Sequence, residues 1–221
     1  MSTPTSPDIT CPQIRAFDAA DLGAVTAAFH GAPASVLGQA WRAHVEPDFR
    51  SATVWTGWRE DQLLVFAELN DADIFSFASQ PNERLWERGD TLEIFLRPAQ
   101  QAAYSELQVA PNNCRLQLRY ADAEAVEYVR RHNSFGPALI REPTFRSRTW
   151  VHPEIRCWYA LVEIPAASVC VTADPLPGST WHFSYSRYDY TRGQAQPVIS
   201  STSAHTQLDF HRQAEWGILR F

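Results

Sequence analysis

The chain has 221 residues, a formal charge of −6 and 45% hydrophobic content. That length suits one larger all-β domain with a substantial core. The negative charge argues against a nucleic-acid groove or an anionic membrane surface as partner. All nineteen basic residues are arginine, which removes Schiff-base, phosphate-loop and nucleophilic lysine chemistry. Met1 is the only methionine, which counts against a haem held by a Met/His pair. Cysteines stand at 11, 114, 157 and 170 without a C-x-x-C pair, and are expected as buried free thiols.

Residues 1–9 are polar and proline-bearing and are expected to be a flexible tail, with residues 10–221 forming a single domain. The tail has no apolar h-region, so it is not a secretory signal as written. No apolar run is long enough to span a bilayer. The expected location is cytoplasmic, or extracellular if the chain is a processed or excised module.

Residues 14–17 read as a first strand and 19–29 as a helical turn or loop. Residues 53–58 alternate, 62–69 are strongly apolar, and Arg59-Glu60-Asp61 between them predicts a hairpin. Residues 74–78 read as a short strand. Residues 91–97, 104–109 and 115–120 read as three successive strands, with Asn112-Asn113 suited to the last turn. Residues 121–131 carry acid early and arginine late, the pattern of a short surface helix. Strands are expected at 145–150, 157–164, 181–190 and 216–221, with a further helical turn at 166–171. About ten short strands, punctuated by proline and glycine, predict two antiparallel sheets packed as a β-sandwich of jelly-roll or immunoglobulin-like type.

The segment Trp86-Glu87-Arg88-Gly89-Asp90-Thr91-Leu92-Glu93-Ile94-Phe95-Leu96 carries the chemistry. It places an indole in a polar turn beside a strand bearing Glu93. An exposed ring covers the apolar face of a pyranose, and a fixed carboxylate accepts charge-assisted hydrogen bonds from its hydroxyls. Glu93 and Glu106 also read as a carboxylate pair for glycoside hydrolysis, though nothing in the sequence separates their pKa values. No G-x-S-x-G elbow or H-E-x-x-H spacing occurs. His205 and His211 flank the last loop and His182 is a third candidate for a histidine cluster.

Three blocks resemble the family 9 carbohydrate-binding modules and their broader relatives. They are the strand ending in an acidic turn at 62–71, the W-x-x-D-x-x-E-I-F-like block at 86–96, and the closing block at 209–221, similar to F-H-x-P-E-x-F-G-x-L-x-F. The segment 181–189 also resembles a family strand. The resemblance implies a non-catalytic β-sandwich that binds glucose- or xylose-type sugars or glycan ends between two aromatic rings. It implies Trp86 as one ring, Phe210 at or near the second, and Glu93 as the acid. Gln108 falls where a binding arginine can stand, and Arg187 is the arginine of the next strand. Gly89 is an extra residue in the block, and Ser184 replaces an asparagine. The family's structural calcium makes Asp71 and Asp73, in the acidic turn, the candidate metal ligands; no other cofactor is expected. The expected partner is a mono- or oligosaccharide, with no nucleic acid, no membrane and an undetermined oligomeric state. The competing expectation is a sandwich that has lost sugar binding and serves as an interaction or structural domain.

Overall fold

The computed structural model describes residues 5–169 and 176–221. The expected turn at 166–171 and Cys170 lie partly or wholly outside them. Two sheets face each other. One runs β1 (Asp8–Thr10), β12 (Gly217–Arg220), β10 (Thr180–Asp189), β5 (Thr91–Pro98), β6 (Tyr104–Val109) and β7 (Arg115–Tyr120), with β11 (Val198–Ser201) also pairing β10. The other runs β2 (Ala34–Val36), β3 (Ala52–Arg59), β4 (Gln62–Asn70), β9 (Cys157–Pro165) and β8 (Arg146–His152). Every strand pair is antiparallel except β1 with β12.

The main core lies between the sheets and follows from strand alternation. Leu92, Ile94 and Leu96 of β5 and Trp181, Phe183 and Tyr185 of β10 meet Leu63, Val65 and Ala67 of β4 and Trp158, Ala160 and Val162 of β9. Each buried leucine, isoleucine, valine or phenylalanine among them contributes roughly 1.5–3 kcal/mol. Helix α1 (Leu22–Ala28) helps cover the outer face of the five-stranded sheet, where Val25 and Phe29 pack on Leu64, Phe66 and Leu161.

The outer face of the seven-stranded sheet is covered too. Phe95, Tyr104, Leu118 and Tyr120 pack beneath Leu85, Val126, Phe210 and Trp216. Val126 belongs to α2 (Ala123–His132), which starts where Asp122 accepts a hydrogen bond from the Ala125 N–H at 3.0 Å. A short helix, α3 (Ala166–Val169), follows β9.

Several expectations are corrected. The stretch expected as tail contributes to β1, because Asp8–Thr10 gains ladder partners on the final strand. Residues 14–17 form no strand; Ile14 packs into the core cluster under α1 instead. Residues 74–78 make only an isolated bridge, Ser76 to Gly89. Strands β2 and β11 were not anticipated. Cys11, Cys114 and Cys157 are free; the first and third are buried and Cys114 is half-buried. Among the described residues no helix is long and apolar enough to cross a membrane.

Candidate functional site

The β5–β6 register sets Glu93 opposite Gln108 and Phe95 opposite Glu106. Since Leu92, Ile94 and Leu107 point into the main core, these four point to the other face. There Gln108 Nε2 donates to Glu93 Oε1 at 2.7 Å and to Glu106 Oε1 at 2.6 Å. One amide group thus bridges two buried carboxylates.

Burial and repulsion from Glu106 raise Glu93 well above the usual carboxylate range. Burial raises Glu106 to about 7, against hydrogen bonds from Gln108 and Tyr120. His211 Nε2 lies 3.9 Å from Glu106, while its Nδ1 is 2.6 Å from the Tyr104 hydroxyl. Desolvation and the Arg130 cation hold that imidazole down at about 4, so it stays neutral beside the acids.

Above this floor opens a cavity of about 490 Å³, with Trp86, Phe95, Tyr188 and Phe210 among its aromatic walls. Trp86 sits half-buried on a short 3₁₀ turn, Leu85–Glu87, anchored by the buried Leu85. The Phe135 and Trp86 rings meet in a T-shaped arrangement with centres 5.9 Å apart, and the Arg84 guanidinium lies 5.7 Å from the indole ring centre. Phe210 is largely buried and packs against Trp41, Phe95 and Tyr188. At the rim, Arg130 pairs with Asp209 at 2.8 Å and Glu127 at 3.1 Å. Arg84 pairs with Glu87 at 3.2 Å and also bonds Asn133.

Of the expected site residues, Trp86, Glu93 and Phe210 line this cavity together. Gln108 is fully buried behind the floor and holds the two acids rather than reaching a ligand itself. Arg187 is not in the site. It shares the alternation of Trp181, Phe183 and Tyr185, so its side chain runs between the sheets. There it donates to the Asn70 carbonyl at 2.7 Å and pairs with Asp71 at 2.9 Å and Asp189 at 3.2 Å. The outward positions of β10 nearest the site are Ser184, Ser186 and Tyr188. Asp90 is also a structural residue, accepting from the N–H groups of Phe75 at 2.6 Å and Tyr190 at 2.8 Å.

Tyr188, Tyr120, His211 and the Arg130–Asp209 pair were not anticipated in the site, and Glu106 was read only as one member of a hydrolytic pair. Glu106 has a local signal: it lies two residues from Gln108 and therefore on the same face. His205 is buried and pairs with Glu215, and only His211 reaches the cavity. No histidine belongs to a metal-type cluster among the described residues.

The pair Asp71 and Asp73 does not fit a calcium ion. Asp73 is ion-paired with Arg192, and Asp71 with Arg187. Asp71 instead converges with Asp90 and Asp189, all three buried with ligand atoms within 4.8 Å of one another. The Arg187 guanidinium already supplies positive charge there, whereas calcium requires six to eight oxygens freed for it.

No family model and no curated protein matches the chain. Solved structures do. A protein from Bacteroides uniformis ATCC 8492, provisionally assigned as carbohydrate-binding, superposes with a TM-score of 0.76 at 16% identity, covering 97% of this chain and 99% of that one. A family 9 carbohydrate-binding module from Caldicellulosiruptor kristjanssonii, solved with cellotriose, gives 0.59 at 14% identity over 97% and 92%. A family 9 module from the same organism, solved with glucose, gives 0.54 at 16% identity over 97% and 93%. With its two facing sheets and this shared course of the chain, the protein has the β-sandwich fold of the family 9 carbohydrate-binding modules.

Proposed function

We propose that the chain is a non-catalytic carbohydrate-binding module whose ligand is a pyranose unit or a glycan end. The observation that carries this reading is the cavity between Trp86 and Phe210, floored by Glu93 and Glu106. Aromatic walls beside convergent polar side chains, here Glu93, Glu106, Arg130 and Asp209, are the means by which a pocket holds and orients a small polar ligand. Trp86 offers a ring for the C–H face of the sugar. The two carboxylates accept hydrogen bonds from its hydroxyls. The fold's likeness to modules solved with cellotriose and glucose supports the ligand class.

Binding without turnover is favoured by the floor itself. Gln108 clamps both acids side by side on one face, so they do not flank a bond from opposite sides as hydrolysis demands.

Calorimetry and chemical-shift titration with glucose, xylose, cellobiose, xylobiose and glucosamine test the reading. Affinity for one sugar unit is expected between about micromolar and millimolar. Trp86→Ala is expected to cost roughly 1–3 kcal/mol of binding, the scale of losing one large ring contact, while the half-buried position leaves the fold intact. No response to any sugar in the panel, or unchanged affinity in the folded variant, overturns the proposal.

A further inference from the structure

At the floor of the cavity acceptors outnumber donors, and among the described residues no cation is present to balance them. Glu93 and Glu106 present four carboxylate oxygens, and the Gln108 amide spends both its hydrogens on two of them. The Tyr120 hydroxyl serves Glu106. The Gln108 Oε1 atom, fully buried next to this pair, has no partner at all. Buried polar atoms are normally satisfied, so an orphaned acceptor beside two acids needs an explanation.

The charge balance runs the same way. Arg84 and Arg130, the two cations lining the cavity, are taken up by Glu87 and by Glu127 with Asp209. Among the described residues neither floor carboxylate has an arginine partner, and the histidine 3.9 Å from Glu106 is neutral. The other groups facing the pair are the neutral phenols of Tyr104, Tyr120 and Tyr188, each pushed up by burial. Two like charges so close in a buried site cannot both ionise freely, so the pair retains a proton near neutral pH.

We propose that this cavity prefers sugars bearing a protonated amino group, of the glucosamine type, over neutral hexoses. The inference rests on the carbohydrate-binding reading above. The ammonium brings donors and the missing charge to the floor. As it enters, the proton held by the acid pair passes to solvent, leaving two carboxylates shared between the ammonium and Gln108. Acetylation of the nitrogen removes the charge and the preference with it.

The test is calorimetric titration of the full chain at pH 7 with glucosamine, glucose and N-acetylglucosamine, in buffers of different ionisation enthalpy. Glucosamine is expected to bind at least about tenfold more tightly than glucose, the scale of one charge-assisted bond. Its heat should vary with buffer, reporting proton release, and N-acetylglucosamine should bind no better than glucose. Glu93→Gln and Glu106→Gln, checked for folding by thermal melting, should each shrink the ratio to below about threefold. If either fails to fold, the comparison of the three sugars on wild type still decides. Equal affinity for glucose and glucosamine overturns this inference alone. So does a ratio that survives both substitutions. Silence with all three sugars removes the binding site itself.

Discussion

Arg187 illustrates how one side chain changes meaning with the direction it faces. Fully buried between the sheets, it links the end of β4 to β10 through the Asn70 carbonyl, Asp71 and Asp189. Burial raises Asp189 to about 7 despite Arg187, and burial with repulsion from Asp71 raises Asp90 to about 8. Three acids crowd one cation, so deleting that cation strands buried charge. Arg187→Met is expected to destabilise the protein by about 3–5 kcal/mol, the cost of breaking a buried pair from one side. Urea unfolding measures it, and a loss below about 1 kcal/mol, the range of a surface pair, would contradict this account. Sugar affinity of the folded variant should be unchanged, because the guanidinium faces away from the cavity.

The elements around the cavity are short, and their placement depends on a few backbone positions. Gly89 follows the Trp86 turn with φ +139, a region closed to residues with a side chain. A Cβ there would lie 2.5 Å from the Phe75 carbonyl oxygen and 2.8 Å from the Ser76 Cα. The residue that lengthens the Trp86–Asp90 block is thus what lets the turn lie against residues 75–76. Gly89→Ala is expected to cost roughly 1–3 kcal/mol of stability and to weaken sugar binding by displacing Trp86. Denaturation and titration of the same sample check both, and wild-type binding in the variant would separate the bridge from the site. Beside the Trp86 turn, α2 ends in His132 with Asn133 left-handed at φ 47, which turns the chain so that Asn133 bonds Arg84. The acidic start and basic end of that helix are legible in the residues themselves; that it would roof a sugar-sized cavity is not.

At the scale of the molecule, buried acids outnumber the cations that reach them among the described residues. Glu106 and Asp189 titrate at about 7 and Asp90 at about 8 in the fold, whereas an unfolded carboxyl titrates near 4. The folded state therefore binds more protons than the unfolded one across neutral pH, and stability falls as pH rises through that range. His182, His205 and His211 are held below the usual imidazole value by burial, so they oppose this trend only at lower pH. Between pH 6.5 and 8.5 the melting temperature is expected to fall by on the order of 5 °C. Glu106→Gln should flatten the slope. A melting temperature that rises over this range would show that the acids are not buried as described.

The alternation of residues 92–96, 104–109 and 181–189 is a local property, and it carries the two-sheet architecture and the outward position of Glu93 before any coordinates are considered. The parity that buries Phe183 and Tyr185 also buries Arg187. Strands β2 and β11, three and four residues long, are too short to carry a sequence alternation of their own and owe their extended form to pairing with β3 and β10. The pairing of Glu93 with Glu106 is legible in the residues, but their shared hydrogen-bonding through Gln108 likewise depends on a partner strand. Glu93 and Glu106 become neighbours through the β5–β6 register and Gln108 between them. Register and the covering of a sheet's outer face are set by contacts between distant segments, so the cavity exists only once the layers have packed. Strand periodicity is written residue by residue; which side of a sheet holds solvent, charge or a cavity is settled by what folds over it.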